Sequence, residues 1–281
     1  MTLSEKKQLQ ITACKVRMGV IESTYGAKAG HPGGSLSAAE VFTYLYFKEM
    51  NIDPKNPKWE DRDRFVLSKG HTAPGLYATL AHRGYFPVED LKTLRKIDSY
   101  LQGHPNMNMV PGVDMSTGSL GQGVSVAVGM ALAAKKTGKN NRVYSLLGDG
   151  EIQEGQVWEA CMAAAHYKLD NLCIVVDNNG LQIDGNIKDV MSPYPIVDKL
   201  DAFGFRTLAI DGHDFDAIEE AFNTAKATKG QPTVILAKTV KGKGVSFMEN
   251  NAGWHGKAPN DAEYEQAMTE LKAQLAELEG K

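Results

Sequence analysis

The sequence predicts an α/β protein with a doubly wound, mostly parallel sheet and helices on both faces, in a single domain over residues 1–281. Five short apolar β-runs alternate with segments of helical periodicity, the pattern of parallel strands joined by crossover helices. The chain is 42% hydrophobic and 23% charged, which provides enough apolar residues for a large core. No Pro/Ser-rich linker, low-complexity run or internal repeat marks a domain boundary.

The N-terminal region predicts two helices and a first strand. Ser4 to Ala27 has the apolar spacing of an amphipathic helix, which ends before the segment Gly30-His31-Pro32-Gly33-Gly34. Ser37 to Phe47 begins with the sequence of a capping box, Ser-Ala-Ala-Glu, and predicts a second helix. A surface connection, Asn51 to Asp63, leads to a strand at Arg64 to Leu67.

That strand is followed by helical segments and then by a long irregular segment. Ala73 to Arg83 and Val88 to Lys96 have helical spacing. Leu101 to Gly123 contains five glycines and two prolines. The segment is longer than a simple connection in a compact domain, so we expect a functional loop. Its last part, Gly118 to Gly123, runs into the apolar helix Val124 to Lys136, where backbone N–H groups favour acceptor atoms. This segment does not match the dinucleotide-binding motif, because its glycines occur in a different order from that motif and no strand precedes them.

The central part of the chain predicts one βαβ unit. The apolar runs Arg142 to Leu147 and Leu172 to Val176 flank a helical segment, Trp158 to Tyr167. Because a crossover helix makes the two strands parallel, the turns that follow them lie at the same edge of the sheet. Asp149 and Asn179 can therefore converge on one point, at the edge where open α/β sheets bind ligands.

The residue types in these two turns indicate a metal and a phosphate. A carboxylate, an amide oxygen and a glycine-flanked backbone offer hard oxygen ligands, which suit Mg²⁺ or Ca²⁺. One formal negative charge is too little for a complete cage, so the remaining ligands would come from a diphosphate and water. Two ordinary turns, or a Mg²⁺-dependent nucleotide-binding domain, remain as alternatives.

The C-terminal part completes the alternation of strands and helices. Predicted helices at Ile196 to Phe203 and Phe215 to Thr228 alternate with strands at Phe205 to Ile210 and Thr233 to Ala237. A final helix has one narrow apolar seam that either closes the core or faces a partner. The seam consists of Tyr264, Met268, Leu271, Leu275 and Leu278.

Charge, hydropathy and cysteine usage exclude several classes of protein. A net charge of −3 and a pI near 6.2 give no basic excess for binding nucleic acid. The longest mainly apolar run, Val124 to Ala134, is too short to cross a bilayer, so no membrane role is expected. Cys14, Cys161 and Cys173 are odd in number and lack CxxC spacing, and the N-terminus has no apolar signal region. A reducing, cytoplasmic location is therefore expected, with the thiols filling the core.

The histidines fall into two groups. His82 and His166 lie within predicted helices and His213 precedes one, which indicates structural roles. The other four lie in glycine-flanked loops, which suggests a shared pocket. They are His31, His71, His104 and His255. No zinc-site spacing is present, so these four are expected to be hydrogen-bond partners and not metal ligands.

Together these motifs resemble the transketolase family, and they occur in that family's order along nearly the whole chain. The matching segments include the Gly30–Gly34 and Ser68–His71 motifs, Gly103-His104-Pro105, the Thr117–Gly123 loop, Gly148 to Gly155 with Asn178-Asn179, and Trp254-His255-Gly256. The resemblance implies the thiamine diphosphate-binding fold, with thiamine diphosphate and Mg²⁺ as cofactors; Ca²⁺ or Mn²⁺ can substitute for Mg²⁺.

The resemblance also implies roles for individual residues. The family binds its metal through the positions of Asp149 and Asn179 and the backbone carbonyl of Leu181. The remaining assignments concern the cofactor and the reaction. The family residues near the diphosphate match His71, Gly150 and Asn179, the backbone that meets the aminopyrimidine matches Gly118, Ser119 and Leu120, and further cofactor contacts match Lys241 and His255. The catalytic histidines of the family match His31, His104 and His255. A carboxylate at the subunit contact matches Glu154.

The matching histidines suit the family's chemistry, because ketol transfer needs a base for a sugar hydroxyl proton and donors for a developing alkoxide. Two features depart from the family pattern. Gly34-Ser35 stands where many transketolases have Ala-Pro. The sequence stops at Lys281, so we expect the family's pyrimidine-binding domain, with its activating glutamate and sugar phosphate-binding residues, and the third domain on a separate chain.

We therefore expect the diphosphate-binding subunit of a two-chain transketolase, acting with a separate pyrimidine-binding and C-terminal chain as two copies of each. It would move a two-carbon ketol unit between sugar phosphates, in carbohydrate metabolism of the pentose phosphate type. The alternatives are another thiamine-dependent ligation such as deoxyxylulose phosphate synthesis, a transketolase for an unusual sugar, and a non-catalytic thiamine diphosphate-binding subunit.

Overall fold

The computed structural model of the protein describes residues 1–280. The first helix, α1 (Leu3–Ala27), begins with a capping box between Thr2 and Glu5 and ends at Lys28, which has a left-handed φ of 51°. Two short helices follow, α2 (Pro32–Ser37) and α3 (Ala39–Tyr44), and a π-helical turn continues to Glu49. The first predicted helix is thus confirmed within one residue.

The predicted capping box at Ser37 is wrong. Ser37 is the last residue of α2, and its hydroxyl donates a 2.6 Å hydrogen bond to the Asp177 carboxylate. Glu40 accepts hydrogen bonds from the Arg17 guanidinium and contacts the ring of His213 at 2.9 Å. Both polar side chains of the pattern are thus used in buried long-range contacts, which local sequence spacing does not reveal.

Five parallel strands form the main sheet, as predicted, in the order β1-β2-β3-β7-β6. They are β1 (Arg64–Leu67), β2 (Val143–Gly148), β3 (Leu172–Asn178), β6 (Arg206–Asp211) and β7 (Thr233–Lys238). β2 and β3 are adjacent and parallel, which confirms the central βαβ unit. A separate two-stranded hairpin, β4 (Leu181–Gln182) with β5 (Gly185–Asn186), follows β3 directly.

Helices connect these strands close to the predicted positions. They are α4 (Ala73–Arg83), α5 (Gln122–Lys136), α6 (Gly155–His166), α7 (Ile187–Val190), α8 (Ile196–Ala202), α9 (Phe215–Ala227) and α10 (Asp261–Glu279). The segment predicted as helical at Val88 to Lys96 is only a short 3₁₀ helix, Val88–Thr93. The chain turns away there because Arg95 takes a left-handed φ of 61°.

The two faces of the sheet bury separate apolar clusters, so helices cover both faces as expected of a doubly wound fold. One cluster joins the sheet to α1, α3, α4, α9 and α10. The other joins it to α5, α6 and α8. Along β2 the side chains alternate: Tyr144 and Leu146 enter the first cluster, Val143 and Leu147 the second.

The final helix closes the core instead of remaining free. Met268 and Leu271 of α10 are buried against α1, and Tyr264, Leu275 and Leu278 are partly buried on the same cluster. All three cysteines are buried and unpaired, as expected of core residues. Among residues 1–280, no helix has the length and hydropathy needed to cross a membrane.

Candidate active site

A cavity of about 310 Å³ opens at the carboxyl ends of β1, β2 and β3, the edge that the strand prediction indicated. Its walls come from the strand ends, the β4–β5 hairpin and two loops that lie distant in sequence. The lining includes Lys69, His71, Leu120, Asp149, Gly150, Glu154, Asn179, Leu181, Lys241 and His255. Most of the predicted site residues therefore share one pocket.

Asp149 and Asn179 lie next to each other, as the βαβ argument predicted. The buried Asp149 carboxylate accepts a 2.6 Å hydrogen bond from the N–H of Gly180 and a 2.9 Å bond from that of Gly150. Burial, with the nearby Asp177 charge, raises the pKa of Asp149 to about 6. The Asn179 side-chain oxygen accepts a 3.1 Å hydrogen bond from the N–H of Leu181. This bond brings the Leu181 backbone close to Asp149 and Asn179.

A buried ion pair lies directly behind these ligand candidates. The Lys69 ammonium and the Asp177 carboxylate are 2.5 Å apart, and both side chains are almost completely buried. Asp177 also accepts from the hydroxyls of Ser37 and Thr239 and from the Asn179 amide nitrogen at 3.2 Å. Although burial alone would raise the pKa of Asp177, the Lys69 charge and these hydrogen bonds hold it below its ordinary range. Asp177 thereby fixes the orientation of the Asn179 amide.

Lys241 joins the hairpin to the histidine loop. Its buried ammonium lies 3.3 Å from the Leu181 carbonyl oxygen and 3.1 Å from Nδ1 of His255. Burial, together with the Lys69 charge, lowers the pKa of Lys241 to about 8. At neutral pH the ammonium is the donor, so Nδ1 of His255 is the acceptor and its Nε2 carries the hydrogen.

Three of the four loop histidines form a cluster. The ring centroids of His31, His71 and His255 lie 5.1 to 5.4 Å apart. Burial is the main cause that lowers the pKa of each ring, to about 4 for His31, about 2 for His71 and about 3 for His255, and neighbouring cations add to the effect. All three imidazoles are therefore neutral near pH 7, which leaves each ring one acceptor nitrogen.

The fourth histidine, His104, has no ring contact with these three among the described residues, although, after burial, its proximity helps to lower the pKa of His31. It is exposed, packs against Gly118 of the long loop, and has its carbonyl oxygen held by the Tyr77 hydroxyl at 2.9 Å. A Cβ at Gly118 would lie 3.1 Å from the His104 ring, so glycine permits the close approach. Although the residue is exposed, partial burial of the ring, followed by the Arg95 charge, lowers the pKa of His104. The predicted pocket of four histidines is thus a cluster of three with His104 at a neighbouring site.

Tight glycine contacts bring the histidine loops together. A Cβ at Gly33 would lie 2.7 Å from the Trp254 carbonyl oxygen, and the Gly33 carbonyl accepts a 3.0 Å hydrogen bond from Gly242. The segments that carry His31 and His255 can pack this closely only because position 33 has no side chain.

A family model described as "Transketolase, thiamine diphosphate binding domain" matches residues 8–277. The chain belongs to the transketolase family. Its match is to the thiamine diphosphate-binding part of a transketolase, which accounts for the fold and for thiamine diphosphate as the cofactor.

Relatives of two lengths match this transketolase chain. It is 46% identical to a 6-deoxy-6-sulfo-D-fructose transketolase subunit of Clostridium sp., over 98% of this chain and 100% of the relative. It is 44% identical to an apulose-4-phosphate transketolase subunit of Phocaeicola vulgatus, over 96% of each. It is 43% identical to human transketolase but covers only 42% of that longer protein.

Solved transketolases have the same fold. The Campylobacter jejuni transketolase superposes with a TM-score of 0.89 at 33% identity, over 99% of this chain and 46% of that chain. The Leishmania mexicana enzyme gives 0.86 at 29%, over 97% and 46%. The chain therefore spans just under half the length of these solved transketolases.

Several polar residues that line this transketolase pocket or lie directly behind it were not identified as site residues from the sequence. Lys69, Asp177 and Glu151 are buried, and Gln182 has a buried side-chain nitrogen with no partner in the described part of the chain. Asp177 could have been found, because the period of two in β3 places it on the same side as Asn179. The burial of Lys69 and of Glu151 is not marked by any comparable pattern in the sequence.

Proposed function

We propose that this chain is the diphosphate- and metal-binding subunit of a two-chain transketolase that moves a two-carbon ketol unit from a ketose to an aldose. One observation supports the proposal above all: Asp149, Asn179 and Leu181 meet at adjacent strand ends, beside a cluster of neutral histidines. This arrangement supports a site for a metal and a phosphate next to groups that can exchange protons with a sugar.

The residues present fit thiamine diphosphate. Nδ1 of His31 and Nε2 of Gln182 are buried and have no hydrogen-bond partner among residues 1–280, so each is available to a ligand. Asp149 and Asn179 offer side-chain oxygens and Leu181 a carbonyl oxygen, a set suited to Mg²⁺ with phosphate oxygens completing its shell. The Leu181 carbonyl also accepts a 3.3 Å hydrogen bond from Lys241 and has a second lone pair for a metal.

We assign the remaining contacts by position. His71, Gly150, Asn179 and Lys241 would hold the diphosphate, since they line the cavity beside Asp149. Gly118, Ser119 and Leu120 would present backbone to the aminopyrimidine: Leu120 lines the cavity, and Gly118 and Ser119 line the neighbouring pocket that contains His104, just before the N-terminus of α5. When bound, the cofactor supplies the nucleophilic carbon that takes up the two-carbon unit.

The histidines would handle the protons and hydroxyls of the sugar. Because burial keeps both rings neutral, His31 can accept a proton from a hydroxyl, whereas His255, whose Nδ1 accepts from Lys241, can donate a hydrogen bond from Nε2 to a developing alkoxide. His104 stands at the neighbouring site and would contact the sugar farther from the diphosphate. Glu154 is exposed at the start of α6, where a carboxylate can meet a partner chain.

We further propose a separate partner chain with a pyrimidine-binding domain, in an assembly with two copies of each chain. The relatives named as subunits match this chain over 96–100% of their own length, whereas the longer transketolases match over about 42%. These relatives are named for apulose 4-phosphate and for a sulfonated fructose, so we propose a ketose with an anionic group as donor. The three buried free thiols agree with a cytoplasmic location.

The metal and the cofactor should stabilise this chain only together. At 100 times the dissociation constant, mass action should raise the free energy of unfolding by about 2.7 kcal/mol, seen as a rise in Tm with Mg²⁺ and thiamine diphosphate. Asp149→Ala should abolish the metal-dependent part of that rise. Glu265→Gln, a change of an exposed residue on α10, is the control and should behave as wild type. Full metal-dependent affinity in Asp149→Ala would show that the metal site lies elsewhere.

A further inference from the structure

Glu151 is a buried carboxylate that the proposed ketol transfer does not use. Its side chain accepts hydrogen bonds from the Ser68 hydroxyl, from the N–H of Gly121 at 2.9 Å and from the N–H of Gly148 at 3.0 Å. Among the described residues, no lysine or arginine forms a salt bridge with it. A buried charge is costly without hydrogen bonds, so this carboxylate depends on these three donors.

The three donors belong to three separate segments of the pocket wall. Ser68 directly follows β1, Gly148 ends β2, and Gly121 closes the long loop before α5. One oxygen of Glu151 binds the loop and the residue after β1, and the other binds β2. The carboxylate therefore connects the loop to the strand end that carries Asp149.

The segment Gly118 to Leu120 is held at both of its ends. On one side the Thr117 hydroxyl donates a 2.6 Å hydrogen bond to the Leu67 carbonyl, and on the other the N–H of Gly121 donates to Glu151. Between them Ser119 and Leu120 are exposed, Leu120 at the cavity and Ser119 at the neighbouring pocket that contains His104. Their backbone has a defined position only as long as both ends are held.

Glycines at two positions allow this loop to contact the residues that follow β1 directly. A Cβ at Gly70 would lie 2.7 Å from the backbone nitrogen of Gly118, and a Cβ at Gly123 would lie 2.7 Å from the Cα of Ser68. The contact between loop and strand is thus backbone against backbone. Such a contact has few side-chain interactions to fix it, which increases the importance of the Glu151 hydrogen bonds.

We propose that Glu151 is a positioning residue for the cofactor: it sets the place of the Gly118–Leu120 backbone relative to Asp149. This inference rests on the proposed function. The two oxygens of Glu151 each accept a hydrogen bond from a backbone N–H group. A glutamine would turn its amide N–H₂ toward one of these donors and leave that N–H unpaired.

The first test is amide hydrogen exchange of the full chain without cofactor, comparing wild type with Glu151→Gln. Exchange should rise about tenfold at either Gly121 or Gly148, whichever N–H faces the glutamine NH₂ and so loses its acceptor. Amides in α1 and α10 should be unchanged. Unchanged exchange at Gly121 and Gly148, or an equal rise in α1 and α10, would overturn the proposal.

The second test is the affinity for thiamine diphosphate with saturating Mg²⁺, measured by calorimetry on the full chain with its partner chain present. The dissociation constant should rise about tenfold or more in Glu151→Gln and less in Ser68→Ala, which loses one donor of the three. Glu265→Gln should match wild type. Wild-type affinity in Glu151→Gln would overturn the proposal.

Kinetics separate positioning from a general loss of stability. In the assembled enzyme, Glu151→Gln should raise the KM for thiamine diphosphate while kcat at saturating cofactor stays within about twofold of wild type. A fall in kcat with an unchanged cofactor KM would contradict the positioning role. If wild type binds no thiamine diphosphate with metal and partner present, the proposed function fails, whereas the exchange measurement still decides whether Glu151 holds the loop.

Discussion

Asp177→Ala should lower the free energy of unfolding by about 3–5 kcal/mol, because it leaves the buried Lys69 ammonium without its partner. For a chain of this size that corresponds to a fall in Tm on the order of 10 °C. The variant should also bind Mg²⁺ and thiamine diphosphate more weakly, since Asp177 orients the Asn179 amide. Thermal and denaturant unfolding of the purified chain measure the first effect, and calorimetry the second.

Two further variants show whether the ion pair is the cause. The double change Lys69→Met and Asp177→Asn removes both charges and should recover much of the lost stability, because replacing both partners of a buried pair costs far less than removing one. Glu60→Ala breaks an exposed pair with Lys139 and should leave Tm unchanged. A loss below about 1 kcal/mol in Asp177→Ala would show that the Lys69–Asp177 pair is unimportant for stability.

His104→Ala should lower the kcat of the assembled enzyme by about 10² to 10⁴, the usual cost of losing a proton-transfer or alkoxide-stabilising group. Cofactor affinity should change much less, because His104 lies outside the cluster beside Asp149. Steady-state kinetics with the donor sugar, together with calorimetry for the cofactor, separate the two effects. His255→Ala should impair both, since His255 also contacts Lys241.

The matched control is His82→Gln, which removes a histidine from α4 outside the cavity. It should leave kcat and the cofactor dissociation constant unchanged. If His104→Ala has the turnover and sugar affinity of wild type while His82→Gln also does, His104 has no part in the reaction.

The strand-end geometry could be predicted from the sequence because it depends on local rules. Two apolar β-runs joined by one helical segment must be parallel, so Asp149 and Asn179 had to approach each other. The same rules located the long loop before α5 and the five strands of the sheet. The bounds differed by one or two residues, since the strands extend to Gly148 and Asn178.

The polar contacts behind this edge could not be predicted, because they join residues far apart in sequence. Ser37 has the spacing of a helix cap, yet its hydroxyl bonds to Asp177, 140 positions away. In the sequence nothing distinguishes Lys69 from a surface lysine, because its burial depends on the complete fold. The position of His104 relative to the other three loop histidines depends on the conformation of its loop. The periodicity of apolar residues in the sequence does not predict that conformation.

The central claim, that this chain works only with a pyrimidine-binding partner, is tested most directly by a ketol-transfer assay. The chain and a separately purified pyrimidine-domain chain from the same genome are assayed alone and mixed, with Mg²⁺ and thiamine diphosphate saturating. Neither chain alone should turn over, and the mixture should do so at the roughly 1–10³ s⁻¹ usual for enzymes. Steady turnover at such a rate by this chain alone would contradict the claim.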